Sequence, residues 1–163
     1  ATRLTKAVKI VEISKPERSN FVVELLEDID GLFWIVTQQG IVSLQLVGKE
    51  IKTFASMAHL AKQRIQVSNA IQDKKIIWLA TNKGLYQFNK ITHQLKKQIL
   101  SGSFNSANVT SLLKVSNEQL LITTREGSLI LNTANNKIQY PPEIRVKELV
   151  HIFLIMGSWK LNK

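Results

Sequence analysis

The stretch QDKKIIWLATNKGLYQFN, at residues 72–89, decides the fold of this chain of 163 residues. Within it, the apolar residue Trp78 is followed by Thr81 and Gly84 at steps of three residues. The same order of residue types stands at residues 34–40 and again at residues 121–127. One copy follows another after 44 residues (threonine 37 to 81) and then after 43 residues (81 to 124). Three copies in constant register predict a tandem structural repeat.

Each copy has the composition of β-strands, because β-branched and aromatic residues lead up to the threonine and follow the glycine. The glycine ends a short turn, where a positive φ is commonly needed. Helical solenoids of similar period would show apolar residues at helical spacing, which these segments lack. The predicted strands are 21–26, 32–37, 41–46 and 50–54; 67–72, 76–81, 85–89 and 95–99; and 109–115, 119–124, 128–132 and 137–140.

Four antiparallel strands in a unit of this length are typical of one blade of a β-propeller. We therefore expect residues 1–163 to form an all-β chain, a β-propeller fragment of about three complete four-stranded blades with partial blades at the ends. The expected blades are 21–64, 65–106 and 107–142, with a partial blade at 143–163, a strand of a preceding blade at 6–13 and a helical excursion at 55–64.

The repeated residues have structural explanations. The rings of Trp34 and Trp78 are expected to fill the gap between neighbouring blades, where their burial would contribute a few kcal/mol each. Stacking on a sugar is the alternative, but Leu121 replaces the ring in the third copy. The threonines are expected to form hydrogen bonds across strands. Three copies of one hydroxyl do not indicate a single nucleophile, so no catalytic residue is predicted.

Acidic residues precede the second strand of the first two copies. Asp28 and Asp30 come before Trp34, and Asp73 comes before Trp78, as expected for a hairpin turn. Calcium binding by Asp28 and Asp30 is the alternative, although two carboxylates without further oxygen donors are a weak signal. The histidines have no metal-ligand spacing, and neither a metal site nor a cofactor is predicted.

Composition limits the function classes. The formal net charge of +10 favours an anionic partner. The basic residues are scattered and no nucleic-acid-binding motif occurs, so nucleic-acid binding is not predicted. The chain has no cysteine, which excludes disulfides and thiolate metal sites. The longest apolar run, at residues 149–156, is far shorter than the roughly 20 residues that a membrane-spanning helix needs.

The segments at residues 27–41 and 72–89 resemble the repeat of the two-component regulator propeller family. That repeat reads as Asp, a turn with Gly, then Leu-Trp-Ile-Gly-Thr, a turn, and Gly-Leu before an aromatic strand. Two departures occur, because Val36, Ala80 and Thr123 replace the Gly before Thr, and the third copy lacks Trp. The resemblance implies a periplasmic or extracellular sensor propeller ahead of a transmembrane segment and a kinase or cyclase. It implies no catalysis here and membrane contact only through parts of the protein outside this chain.

The expected function is therefore ligand sensing on the periplasmic side of a bacterial two-component or similar receptor, with a small molecule or glycan as ligand. The turns between second and third strands should share one rim with the blade-to-blade connections, including residues 59–64. Gln39, Lys83 and Arg125 in these turns are the candidate ligand-binding residues, and the planar guanidinium of Arg125 suits a carboxylate or sulfate. The alternative for each of them is a solvated turn residue.

Two other functions stay open. One is a protein-interaction scaffold of the tryptophan–aspartate repeat kind, although the Trp-Asp and Gly-His signatures are absent. The other is a fragment of a propeller glycosidase, because the separation of a carboxylate pair is spatial and cannot be read from sequence. A partial ring would leave apolar blade faces uncovered, so self-association of the chain is also expected.

Overall fold

The three repeats fold into three separate four-stranded antiparallel sheets. The structure is a computed structural model, and it describes residues 21–28, 32–45, 50–53 and 58–141. Within each sheet, strands that are consecutive in sequence are neighbours, so each sheet is a meander of hairpins. We refer to the sheets as blades 1, 2 and 3 in chain order. The all-β blade fold predicted from the repeat is confirmed.

The elements follow one another in the same order in every blade. Blade 1 contains β1 (Val22–Glu27), β2 (Leu32–Thr37), β3 (Gly40–Gln45) and β4 (Glu50–Thr53). The helix α1 (Ala58–Lys62) leads to blade 2, which contains β5 (Val67–Asp73), β6 (Ile76–Thr81), β7 (Gly84–Asn89) and β8 (Leu95–Lys97). A 3₁₀ helix (Gly102–Asn105) leads to blade 3, which contains β9 (Val109–Ser116), β10 (Gln119–Thr124), β11 (Gly127–Asn132) and β12 (Ile138–Gln139).

The predicted strands agree closely with these bounds. The second strands agree residue for residue, and the others differ by one or two residues at an end. β8 ends at Lys97, two residues earlier than predicted. The predicted helical excursion ends at Lys62 instead of residue 64. Its first residues, 55–57, the strand at 6–13 and the partial blade at 143–163 lie outside the described residues. In the described part of the chain, no helix has the length and apolarity that a membrane crossing requires.

The hydrophobic core lies between blades rather than within any one of them. A sheet that is buried on both faces must pack against a neighbour on each side, and blade 2 does so. The cluster between blades 1 and 2 includes Trp34, Val36, Ile41, Ile77, Leu79 and Phe88. The cluster between blades 2 and 3 includes Trp78, Ala80, Leu85, Leu120, Ile122 and Leu129. Equivalent repeat positions therefore build both junctions.

Both tryptophans fill the space between blades. Trp34 and Trp78 are buried, and the ring of Trp34 meets Phe88 of the next blade edge-on, with centroids 5.7 Å apart. Buried aromatic rings contribute large apolar areas, and edge-to-face pairs add to them. The packing explanation is confirmed, since both rings belong to the buried apolar clusters between blades.

Each repeated threonine closes the turn that follows it. The hydroxyl of Thr81 donates to the carbonyl oxygen of Gly84 at 2.6 Å and accepts a backbone amide of the turn at 3.1 Å. Thr37 and Thr124 make the same pair of bonds. Gly84 has a φ of +113°, and a Cβ there would lie 2.7 Å from the carbonyl oxygen of Asn105. The repeated Thr and Gly therefore shape the hairpin between second and third strands.

The first strands of the blades also contact one another, β1 with β5 and β5 with β9. Ser68, which lies at a β-bulge of β5, donates its hydroxyl to the carbonyl oxygen of Val109 at 2.9 Å. The side-chain oxygen of Asn69 accepts the amide of Leu112 at 3.1 Å. Because separate sheets share no ladder of backbone bonds, these side-chain bonds supplement the apolar packing between blades.

Candidate functional site

The residues predicted to bind ligand lie in three equivalent turns, between the second and third strands of the blades. The ammonium of Lys83 donates to the carbonyl oxygen of Gln63 at 2.7 Å, just after α1, so this rim also holds the first blade-to-blade connection. Gln39 and Arg125 lie in the turns of blades 1 and 3. Among the described residues, no hydrogen bond or ion pair joins these three predicted side chains. Their ligand-binding role stays a prediction.

The opposite rim is formed by the turns that join first to second and third to fourth strands, and there a buried ion pair links blades 1 and 2. The carboxylate of Asp28 accepts the indole N–H of Trp34 at 3.0 Å and the ammonium of Lys90 at 2.8 Å. The side chains of Lys90 and Asp28 are only 8% and 19% exposed. Removal of either partner would leave a largely buried charge, so the pair fixes this rim of the junction.

The turn between β7 and β8 places His93 beside this ion pair. The side-chain oxygen of Asn89 accepts the two backbone amides that follow Lys90, at 2.9 and 3.0 Å, which folds the turn locally. His93 takes a φ of +55°, and its ring stacks on Phe88 with 12° between the planes. Phe88 in turn contacts Trp34, so the imidazole is held against the core of the junction.

A cavity of about 210 Å³ opens between blades 1 and 2 at this rim. Its described lining has two apolar, two neutral polar and three basic side chains. Blade 1 contributes residues from β2, β3 and β4, and blade 2 contributes its turn between β7 and β8. The described lining consists of Leu32, Trp34, Ser43, Gln45, Lys52, Lys90 and His93.

The junction between blades 2 and 3 is closed at the equivalent place. The side-chain amide of Gln87 donates to the side-chain oxygen of Gln98 at 3.0 Å, and the amide of Gln98 donates to Asn136 of blade 3 at 3.3 Å. In the part of the chain that the structure describes, the buried indole N–H of Trp78 has no hydrogen-bond partner.

Two differences between repeat copies separate the open junction from the closed one. Ser43 pairs with Trp34 across the hairpin at the position where Gln87 pairs with the second tryptophan. His93 stands in its turn where Asn136 stands in the next one, and both have φ near +60°. Ser43 has a short hydroxyl side chain where Gln87 has a long amide, and both Ser43 and His93 line the cavity.

The sequence reasoning missed the basic residues of this cavity, Lys52, Lys90 and His93. None belongs to the repeated motif, and His93 was judged only for metal-ligand spacing. The available signal was the departure of one copy from the next, because His93 and Ser43 differ in type from their counterparts. Aligning the copies beyond the glycine would have drawn attention to both positions.

The calcium interpretation receives no support from Asp28, whose carboxylate is used by Trp34 and Lys90. Asp30 lies outside the described residues. Among the residues that are described, no group of three or more histidine and acidic side chains is placed to hold a metal ion.

No family model matches the chain, and no curated protein matches it. Solved structures do match. The extracellular domain of the putative hybrid two-component system BT4673 from B. thetaiotaomicron has a TM-score of 0.58 and 18% identity, with 77% of this chain and 16% of that chain covered. The corresponding domain of BT3049 from the same organism has a TM-score of 0.56 and 16% identity, covering 77% of this chain and 18% of that one. PorZ, a surface component of the type-IX secretion system of Porphyromonas gingivalis, has a TM-score of 0.50 and 19% identity over 68% of this chain and 17% of PorZ.

These matches show the fold, a stack of propeller blades, since the sequence identities are low. The chain spans about a sixth of the length of the two-component domains. Two of these three structures are extracellular domains of two-component systems.

Proposed function

We propose that this chain is a ligand-sensing segment of an extracytoplasmic propeller in a bacterial two-component or similar signal-transduction receptor. The observation that carries the proposal is the blade repeat, which resembles that of two-component regulator propellers and folds like the extracellular domains of two such systems. A stack of blades gives a rigid frame with clefts between sheets, and a ligand bound across a junction would change how two blades pack.

A non-catalytic role is supported by the structural bonds that the repeated threonines and two aspartates make. The repeated threonine hydroxyls are engaged in their own turns, where they support backbone geometry. The glycosidase alternative needs a pair of free carboxylates, but Asp28 and Asp73 each pair with a lysine of the next blade, at 2.8 and 2.7 Å. These pairs are links between blades rather than an acid–base couple.

The cellular side of the membrane is tested by reporter fusions in the native bacterium. Alkaline phosphatase is fused to the parent receptor directly after the segment that corresponds to this chain. The fusion should be active, because that enzyme folds only outside the cytoplasm. Green fluorescent protein fused at the same position should be dark. A fluorescent fusion with inactive phosphatase would contradict the extracytoplasmic assignment.

We also propose that the outer faces of blades 1 and 3 bind a second copy of the chain. Leu25 of β1 is 57% exposed, whereas Ala70 at the same position of blade 2 is buried against blade 1. Leu113 of β9 is 58% exposed, whereas Ile71 at its position packs against the second core cluster. Each outer face thus continues the pattern of an existing junction, so blade 3 of one copy fits blade 1 of another.

Light scattering coupled to size exclusion tests this association. The chain is expected to elute as a dimer or larger species, and Leu25→Asp should shift it to the monomer. Ile99→Asp, which adds the same charge at an exposed residue of blade 2, should leave the assembly unchanged. A monomeric parent chain at high concentration would contradict the association.

A further inference from the structure

The rim that holds the turns between second and third strands is basic in the described part of the chain. Both blade-to-blade connections, 58–66 and 98–108, lie at this rim, because each runs from the end of a fourth strand to the start of a first strand. The charged residues of these turns and connections, all exposed, are Lys62, Arg64, Lys83, Arg125 and Glu126. We call this surface the basic rim, and its excess of positive charge favours an anionic partner.

The opposite rim has no such excess. Its described turns and strand ends contain equal numbers of acidic and basic residues, namely Glu27, Asp28, Asp73 and Glu118 beside Lys74, Lys75, Lys90 and Lys137. Two of these carboxylates, those of Asp28 and Asp73, are paired with Lys90 and Lys114 of the next blade at 2.8 and 2.7 Å. The net charge of the described chain is therefore distributed unevenly between its two rims.

Three cations of the basic rim are available to a partner. Among the described residues, the side chains of Lys62, Arg64 and Arg125 make neither an ion pair nor a hydrogen bond. The planar guanidinium of an arginine can bind the two oxygens of a carboxylate or sulfate group at once, and such bonds are charge-assisted. Both arginines are therefore free to contact an anionic group from solvent.

The backbone around Arg64 is held in place by the turn of blade 2. Arg64 has a φ of +53° at the end of α1, a position that favours glycine. The side-chain amide of Asn82 donates to the carbonyl oxygen of Arg64 at 3.3 Å, and its oxygen accepts the amide of Gln66 at 2.9 Å. The ammonium of Lys83 donates to the carbonyl oxygen of Gln63 at 2.7 Å. Arg64 and Lys83 therefore lie beside each other on one fixed surface.

The distribution of the cations selects an extended partner. Lys83 and Arg125 lie in the equivalent turns of neighbouring blades, and stacked sheets are about 10 Å apart. The positive charges are thus spread along the rim, which suits a polymer with anionic groups at intervals better than a single small anion. Exposed amide and hydroxyl side chains of the same rim, at Gln63, Asn82 and Ser101, can form hydrogen bonds with sugar hydroxyls.

We propose that the basic rim binds an acidic polysaccharide, with Arg64 and Arg125 contacting carboxylate or sulfate groups on different sugar units. Lys62 and Lys83 add positive charge along the same path, and the neutral polar side chains contact the sugar hydroxyls. Because such a polymer is met outside the cytoplasm, the assignment rests on the extracytoplasmic sensing role proposed above and names the class of its ligand.

Fluorescence anisotropy of a labelled oligogalacturonate, titrated with the full chain, tests the assignment. Saturable binding is expected, and it should weaken at least about tenfold between about 50 and 500 mM salt, because the contacts are ionic. Unlabelled dextran, which has hydroxyls without charge, should not compete. Monomeric galacturonate should compete at least about tenfold more weakly than the oligomer, since it cannot reach cations on two blades at once.

Two double variants with the same change in net charge locate the site. Arg64→Asn with Arg125→Gln should weaken binding about tenfold, because each lost ionic contact at an exposed site contributes a factor of a few. Asn is chosen at residue 64 because it tolerates a positive φ. Lys75→Gln with Lys137→Gln removes two exposed lysines of the opposite rim and should change the affinity less than about twofold.

Three results would overturn the proposal. One is no saturable binding of oligogalacturonate up to about 1 mM at low salt. Another is an equal loss of affinity in the two double variants, which would indicate general attraction to a basic chain. The third is tighter binding to phosphatidylglycerol vesicles than to oligogalacturonate, which would indicate a membrane surface instead. The reporter fusions answer the question of location independently, so failure of the sensing role and failure of this assignment are distinguishable.

Discussion

A cavity of about 210 Å³, lined in part by basic side chains, lies at one rim between blades 1 and 2, whereas neutral amides bridge the equivalent place between blades 2 and 3, which are built from the same repeat. The residues that shape the blade are shared, including the threonine of the hairpin and the asparagine that folds the turn between third and fourth strands. The difference lies in side chains outside the motif. In a repeat protein, the conserved-looking positions within the chain explain the fold, and the departures between copies indicate where a specific site lies.

Removing the carboxylate that links blades 1 and 2 should cause the largest loss of stability, and a larger one than the equivalent change between blades 2 and 3. Asp28→Ala leaves Lys90 largely buried without its partner, so the free energy of unfolding should fall by about 3–5 kcal/mol. The equivalent Asp73→Ala breaks a pair whose lysine is 36% exposed, so less than about 1 kcal/mol is expected. Urea denaturation of both variants gives the two values, and equal losses would contradict the contrast between the junctions.

Replacing a glycine by alanine in the turns between second and third strands should show how little space the turn of blade 2 has beside the connection to blade 3. Gly84→Ala places a Cβ 2.7 Å from the backbone oxygen of Asn105 in addition to its positive φ, and about 3 kcal/mol should be lost. Gly127→Ala has a similar φ, but its nearest neighbour is the ring of Phe104 at 3.8 Å, so only about 1–2 kcal/mol is expected. Thermal melts rank the two, and a larger loss for Gly127→Ala would contradict the geometry.

Replacing each tryptophan by phenylalanine compares the indole N–H groups directly. Both changes lose ring area, but only Trp34→Phe breaks a hydrogen bond to a carboxylate. Trp34→Phe should therefore cost about 1–2 kcal/mol more than Trp78→Phe, whose N–H has no partner among the described residues. Chemical denaturation measures the difference, and a cost at Trp78 equal to or above that at Trp34 would contradict the assignment.

Raising the pH should weaken the first junction slightly, since it buries Tyr86 where the second buries Leu129. Burial raises the pKa of the Tyr86 hydroxyl above its ordinary value of 10.0. The folded state then binds the proton more tightly than the unfolded state, so this stability is complete below about pH 10 and is lost as the pH rises through the folded pKa. The melting temperature should drop more steeply above about pH 10 in the parent chain than in Tyr86→Phe, and identical pH profiles would contradict the effect.

The fold was readable from sequence because its determinants repeat. Thr81 and Gly84 recur at fixed spacing in all three blades because the threonine hydroxyl closes each turn, and Trp78 recurs in blade 1, where the ring again packs between blades. The second strands could be placed residue for residue for the same reason. The fourth strands were less well placed, since their short, polar sequences lie outside the repeated motif, and β8 and β12 are only three and two residues long.

The candidate cavity was not readable in the same way. Lys52, Lys90 and His93 come from different strands and turns and meet only when blade 2 stacks on blade 1. The rim residues chosen from sequence, Lys83 among them, were selected for exposure in a turn, whereas the cavity depends on what a neighbouring blade leaves empty. How well two blades fit together is not visible as a pattern along one stretch of sequence. The lining residues could be recognised only where one copy of the repeat has a different residue from the next copy.

Nuclear magnetic resonance of the indole N–H groups tests the contrast between junctions most directly, because Trp34 and Trp78 report on the two junctions in one sample. The carboxylate of Asp28 accepts the indole N–H of Trp34, so the Trp34 proton resonance should lie downfield of the Trp78 resonance, whose N–H has no partner among the described residues. In Asp28→Asn the Trp34 resonance should move upfield while the Trp78 resonance stays in place. A Trp34 resonance upfield of Trp78, or equal movement of both in Asp28→Asn, would contradict the difference between the two junctions.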